Sequence, residues 1–163
     1  MKHFNALELK IMSLDQLVYT RNQWALENKK VVFTNGCFDI LHFGHVHYLA
    51  DAAECGDKLI VGLNSDSSVK KLKGTNRPIN DIMTRKVILA GLSFVDAVVI
   101  FEEETPLELI QQITPDVLVK GGDWDPSLIV GSDWVLQHRG TVHALPFVKG
   151  YSTTSIETKI KNS

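Results

Sequence analysis

The chain has little that would take it to a membrane or onto nucleic acid. No apolar run approaches the roughly 20 residues that span a bilayer; among the longest is Ala97-Val98-Val99-Ile100-Phe101. A basic excess is also lacking, since 17 Lys and Arg face 19 Asp and Glu and leave a net charge of -2. That excludes the broad positive field that draws proteins onto nucleic acid or anionic lipid, so any phosphate must be met locally. Cysteine is scarce, with Cys37 and Cys55 alone, too few for a disulfide framework. Together with a start that has no charged-then-apolar leader pattern, this predicts a reduced, cytoplasmic protein. There is no internal repeat and no low-complexity segment. The 163 residues, 44% hydrophobic, suffice for a single domain over 1–163 with a full core.

The informative stretch is Thr34-Asn35-Gly36-Cys37-Phe38-Asp39-Ile40-Leu41-His42-Phe43-Gly44-His45. It follows the apolar, β-branched run Val31-Val32-Phe33 and precedes Val46 to Ala53, which has helical spacing and no breaker. The order strand, glycine turn, helix puts unpaired backbone N–H groups and the positive end of a helix dipole at the turn. His42 and His45 lie around the first helical turn, so both rings can face a ligand beside those N–H groups. Gly44 between them removes a side chain and is expected to let a phosphate approach the backbone.

The remaining pattern predicts an alternation of helices and buried strands. Ser13-Leu14-Asp15-Gln16 is a capping box and starts a helix ending near Asn28, within an N-terminal helical extension over 1–30. Lys58 to Leu63, Ala97 to Ile100, Val117 to Val119 and Thr141 to Leu145 read as strands. Helices are expected after Ser65, after Asn80 or Asp81, from a Thr105-Pro106-Leu107-Glu108 capping box, and from Ser127 to His138. Such alternation argues for an open parallel sheet with helices on both faces, an α/β Rossmann-like fold. Three polar groups then fall at the C-terminal ends of strands, where such sheets bind ligands. They are Lys70-Lys71-Leu72-Lys73, Lys120-Gly121-Gly122-Asp123-Trp124, and the segment Tyr151-Ser152-Thr153-Thr154 that opens a C-terminal phosphate-capping helix over 151–163.

The turn followed by His-x-Gly-His resembles the nucleotidyltransferase superfamily of cytidylyltransferase-like type. With KGGDW and YSTTSI, and with NSD, VKKLKG, RPIN and TPLELI between them, the chain from about Val31 onward is similar to the bacterial heptose 1-phosphate adenylyltransferases. The resemblance implies transfer of AMP from ATP to heptose 1-phosphate, giving ADP-heptose for lipopolysaccharide core synthesis, and pyrophosphate. It implies catalytic roles for His42, His45 and Lys73. Nucleotide contacts are implied for Asn35, Gly36, Cys37, Phe38, Gly44, Lys120, Gly122, Asp123, Ser152, Thr153 and Thr154. Asp39, Asp66, Arg77 and Arg85 are implied at the sugar phosphate. The one departure is Glu157, where the superfamily often has an arginine after the Ser-Thr-Thr helix start.

A sugar phosphate is largely dianionic at neutral pH, with a second pKa near ~6, so the attack on the α-phosphate needs no strong general base. Charge on the α-phosphate and on departing pyrophosphate must be managed instead. His42, His45, the helix N-terminus and Mg²⁺ carried by the ATP phosphates are expected to do this with placed positive charge and donors. No protein ligand set for a metal is evident. A homodimer is expected, with ATP and a sugar 1-phosphate as partners and neither nucleic acid nor membrane. Two alternatives remain at this point: a cytidylyltransferase for a polyol phosphate such as glycerol 3-phosphate, and a nucleotide-binding module without turnover.

Overall fold

The computed structural model describes residues 2–163; Met1, the first residue of the expected N-terminal extension, lies outside them. Six strands form one sheet in which every neighbouring pair is parallel. They are β1 (Ile11–Met12), β2 (Val31–Gly36), β3 (Lys58–Asn64), β4 (Ala97–Phe101), β5 (Val117–Gly121) and β6 (Thr141–Leu145), in the order β1-β4-β3-β2-β5-β6. Successive side chains of a strand point to opposite faces, and here each face buries its own cluster. Val32, Leu59, Val61 and Val98 point to one face, and Val31, Phe33, Ile60 and Val99 to the other. Strands buried on both faces must be apolar throughout, which is why β2, β3 and β4 read as continuous runs.

Helices α1 (Lys2–Glu8), α3 (Phe43–Ala53) and α5 (Ile82–Ala90) cover the first face; Leu7, Tyr48, Leu49, Leu89 and Ala90 join its core. The second face carries α2 (Leu14–Leu26), α6 (Leu107–Ile113) and α7 (Ser132–Gln137), which contribute Leu17, Leu109, Ile110, Ile113 and Val135. Two more helices, α4 (Asp66–Lys73) and α8 (Thr153–Lys161), stand near the strand ends. The capping box at Ser13 forms as expected, with Gln16 returning the bond.

Four expectations are revised. The N-terminal extension over 1–30 is not wholly helical, because β1 within it forms the sheet edge beside β4; two residues are too few to show alternation. The extension is also split: α1 is a separate helix ahead of β1, and it buries no residue fully, which leaves its own bounds with a weak apolar signature. The Thr105 capping box does not form: Pro106 occupies the cap position, its carbonyl accepting from Ile110 N–H at 2.9 Å, so Thr105 lies one residue too early. The helix expected over 127–138 is divided into a 3-10 turn at Pro126–Leu128, capped by Asp125, and α7.

The strand order sets the position of the site. Connections from β2 run outward through β3 to β4, whereas β5 returns to the other side of β2. This reversal opens a crevice at the C-terminal ends of β2 and β5, and open α/β sheets bind ligands at such points.

Candidate active site

Strand β2 delivers Asn35 and Gly36 to this crevice, and the chain turns through Cys37 and Phe38 before α3 begins. Phe38 has a left-handed φ of 44°, uncommon for a bulky residue. Its ring lies edge-on to His45 with centroids 5.4 Å apart. His42 is the N-cap of α3, and its carbonyl accepts from the N–H groups of His45 and Val46. No side chain caps this helix, and the N–H groups of Phe43 and Gly44 have no acceptor among the described residues.

The imidazoles of His42 and His45 stack with centroids 3.8 Å apart and 23° between their planes. Gly44 makes this possible, since a Cβ there would sit 3.1 Å from His42 Cε1 and 3.2 Å from Tyr151 Cβ. The space on the Cβ side of Gly44 is therefore taken by His42 and Tyr151. Both Nδ1 atoms are buried without a hydrogen-bond partner, an arrangement that proteins rarely keep without a use. Burial lowers the pKa of both rings; His45 falls to about 4, with His42 and Lys73 adding to the effect of burial. The empty pair is thus neutral at pH 7, and standing positive charge comes from lysines instead.

Those lysines are Lys73, from the last turn of α4, and Lys120, at the end of β5. With His45, Tyr48 and Thr153 they line a cavity of about 160 Å³ directly over the signature turn. Lys120 Nζ donates to Asn35 Oδ1 at 3.4 Å, and burial lowers its pKa. Burial pushes the Cys37 thiol up, so it stays protonated beside these cations. Two larger cavities adjoin. One of about 310 Å³ shares Asn35, Gly36, Cys37 and Lys120 and is walled by Leu72, Pro106, Trp124 and Ile129. The other, of about 320 Å³, shares His45, Phe147 and Thr153 and adds His42, Tyr151 and Ser152.

The expected site residues do not all reach this crevice. Arg85 is buried, its guanidinium donating to the carbonyls of Cys37 (2.7 Å), Asn64 (2.8 Å) and Asn80 (3.0 Å) and to Asp66 Oδ1 (2.7 Å). It ties three segments together beneath the site, so the expectation that it meets the sugar phosphate is revised; four of its five N–H groups are engaged and its side chain has no exposed surface. Asp66 spends one oxygen on it. Asp39 does line the central cavity, but its carboxylate is engaged within the protein, accepting from the N–H groups of Ile79 and Asn80 and from Arg77 Nη1 at 2.8 Å. Burial opposes ionisation of Asp39, but those two N–H groups and Arg77 outweigh it and hold the carboxyl below its usual range. Arg77 also pairs with Glu157.

In the KGGDW turn Gly122 adopts a φ of 114°, and Asp123 stands exposed with its carboxylate unbonded among the described residues. Ser152 caps α8 by accepting from Ser155 N–H, Thr153 faces both the central cavity and the aromatic one, and Thr154 is exposed and lines neither. Among the lining residues that were not foreseen are Tyr48, Phe147 and Trp124. Tyr48, held by Thr34 at 2.5 Å and pushed up to about 12 by burial, had only a core-like position to show. Phe147 lies in an aperiodic loop, and Trp124 was visible inside KGGDW but without an assigned role. No group of three or more His, Cys, Asp or Glu that could hold a metal ion occurs among the described residues. No described helix is long and apolar enough to cross a membrane.

A neutral histidine pair at a helix start without a side-chain cap, beside a cavity lined by lysines at the switch point of a parallel sheet, has the donors and positive charge that an anion requires. Residues 33–159 match the family described as cytidylyltransferase-like. The chain belongs to that family. It is 52% identical over 161 residues to "Bifunctional protein HldE" of Wolinella succinogenes, covering 99% of this chain and 33% of that protein. The protein of the same name from Campylobacter concisus is 56% identical over 156 residues, covering 96% of this chain and 32% of its own length. The chain thus spans about a third of the length of these curated relatives. Among solved structures, the lipopolysaccharide core biosynthesis protein of Thermoplasma volcanium superposes with a TM-score of 0.61 at 28% identity, over 76% of this chain and 99% of that one. Pantothenate synthetase of Thermus thermophilus shares the fold, with a TM-score of 0.62 at 16% identity over 93% and 70% of the two chains.

Proposed function

We propose that the protein transfers AMP from ATP to heptose 1-phosphate, yielding ADP-heptose and pyrophosphate for lipopolysaccharide core synthesis. The observation that carries this reading is the stacked His42–His45 pair with unpartnered nitrogens, of which His45 lines the cavity that Lys73 and Lys120 also line. The family, the relatives called bifunctional protein HldE and the lipopolysaccharide core biosynthesis protein point the same way.

The residues divide the work by charge and position. Lys73 and Lys120 attract the phosphates before any proton moves. The histidine rings and the first N–H groups of α3 donate to oxygens of the α-phosphate as negative charge builds during in-line attack. A phosphate dianion supplies its own nucleophile, which agrees with the lack of an activated acid–base dyad and with a protonated Cys37; no covalent enzyme intermediate is required. Ser152 and Thr153, at the start of α8, hold the outer phosphates that leave. Asn35, Gly36 and the KGGDW turn border the nucleoside, with the Asp123 carboxylate as an available hydroxyl acceptor. Asp66 and Arg77, which line none of these three cavities, are assigned to the sugar phosphate on the family likeness alone.

A divalent ion, in our reading Mg²⁺, fits this site as a passenger of the ATP phosphates, because the crevice offers lysines and imidazoles and no carboxylate cluster. When bound, it supplies further neutralisation of the phosphate charge. We further infer a cytoplasmic homodimer, supported by exposed Phe4, Met83 and Ile88 on the packed helices α1 and α5. Pyrophosphate release with ATP and CTP, each crossed with heptose 1-phosphate, other sugar 1-phosphates and glycerol 3-phosphate, tests the reading. Release confined to ATP and heptose 1-phosphate is expected. Preference for CTP with a polyol phosphate, or no release at all, overturns it.

A further inference from the structure

We propose that Glu157 is a positioning residue: acting through Arg77, it fastens α8 over the phosphate cavity and thereby sets nucleotide affinity. The inference rests on the reading above that this cavity takes the phosphates of ATP.

Helix α8 needs such a fastening. None of its residues is fully buried, yet its first turn places Thr153 at both the central and the aromatic cavity. Just before it, Tyr151 packs on Phe43 with ring centroids 4.7 Å apart. Its charged tie is the pair between Glu157 Oε1 and Arg77 Nη2. The other amine of Arg77 holds Asp39 Oδ2 at 2.8 Å, and Asp39 is fixed in turn by the N–H groups of Ile79 and Asn80. Side-chain exposure rises outward along this chain, from 1% at Asp39 to 17% at Arg77 and 28% at Glu157. The inner end is rigid and the outer end is the link that can open.

Charge balance shows which partner benefits. Asp39 alone neutralises Arg77, so the guanidinium does not require a second carboxylate. What the second carboxylate adds is a bridge from the loop of residues 74–81 to a helix that lacks a buried face. The planar guanidinium suits this, since its two amines can serve two acceptors at once, which an ammonium holds less well. An acid therefore serves at the position where the superfamily often carries an arginine: it grips a fixed cation, and the helix it anchors presents the hydroxyls.

Glu157→Gln removes the charge and keeps the shape. In the empty protein, hydrogen exchange over 151–161 should quicken by roughly fivefold, the size expected for a partly exposed ion pair. The KM for ATP should rise by a similar factor while kcat stays within about twofold, because Glu157 touches no reacting atom. In an Arg77→Lys background, which keeps the charge beside Asp39 and loses the fork, Glu157→Gln should change neither quantity further. Unchanged exchange in α8, an unchanged KM, or fully additive effects in the double variant would each overturn the proposal. If no form of the protein releases pyrophosphate, the functional reading fails, and the exchange of α8 in the empty protein still decides whether the latch exists.

Discussion

The rings of His42 and His45 lie in stacked contact, 3.8 Å between centroids, with each Nδ1 buried and unpartnered. Two polar rings pressed together and left unsatisfied destabilise the empty site, and a bound phosphate relieves that cost by taking their N–H groups. Each histidine should therefore contribute mainly as charge develops on the phosphate. His42→Ala and His45→Ala are each expected to lower turnover on the order of 10²-fold or more, with a smaller loss of ATP affinity. Because the rings act as one unit, the double variant should be little worse than either single one. Single-turnover kinetics check this; near-normal turnover in both variants would remove the pair from the mechanism.

The same pair should make the protein sensitive to pH. The ordinary pKa is 6.5, and burial drives that of folded His45 to about 4. Between those values the unfolded chain binds more protons at this residue than the folded one. Its effect on stability is absent above the upper value and grows unfavourable as pH falls toward the lower one. A bound triphosphate reverses the balance, because negative charge beside the rings favours their protonated form. Calorimetry of ATP binding near pH 6, in buffers of different ionisation enthalpy, should show net proton uptake that His45→Ala reduces. Uptake of zero would mean that the phosphates do not meet these rings.

Arg85 yields the opposite kind of prediction. Its guanidinium supports the carbonyls of Cys37, Asn64 and Asn80 and the carboxylate of Asp66 from within the protein. Arg85→Ala would leave the Asn64 carbonyl buried and unpaired and take this partner from the part-buried Cys37, Asn80 and Asp66 acceptors, at a cost of about 1–3 kcal/mol or more. Denaturant midpoints should fall accordingly for Arg85→Ala. A variant of normal stability with a raised KM for the sugar phosphate would instead restore the substrate role that its sequence context suggested.

The contrast between His42 and Arg85 shows what the sequence can disclose. The histidine pair was legible because every feature it needs lies within a dozen residues: a strand, a turn, a bare helix start and Gly44. The parallel sheet was legible because strands buried on both faces must be apolar throughout. Arg85 was misread because its partners come from the signature turn, from the end of β3 with Asp66 after it, and from Asn80, which only the fold brings together. Glu157 looked like an unexplained departure for the same reason, since Arg77 lies 80 positions away in the chain. Strand β1 escaped notice because its pairing with β4, and not its own pattern, makes it a strand.

The KGGDW turn allows a test of nucleotide recognition by two variants, one of which, Gly122→Ala, removes no polar group. Gly122 has a φ of 114°, a region that L side chains rarely adopt, and an added Cβ would lie 3.0 Å from Trp124 Nε1 and 3.1 Å from Phe147 Cε2. Trp124 cannot yield freely, because its indole N–H donates to the Gly121 carbonyl at 3.1 Å. Gly122→Ala should thus cost about 1–3 kcal/mol of backbone strain and turn both aromatic side chains away from the cavities they wall. Asp123→Ala, by contrast, removes an exposed acceptor that has no protein partner, so stability should hold while ATP binding weakens by about 1–3 kcal/mol. Thermal unfolding and nucleotide titration of the two variants separate these effects. If Asp123→Ala binds ATP normally and Gly122→Ala loses stability alone, the turn serves only the fold, and the nucleoside is read by the aromatic cavity at Phe147 and Tyr151.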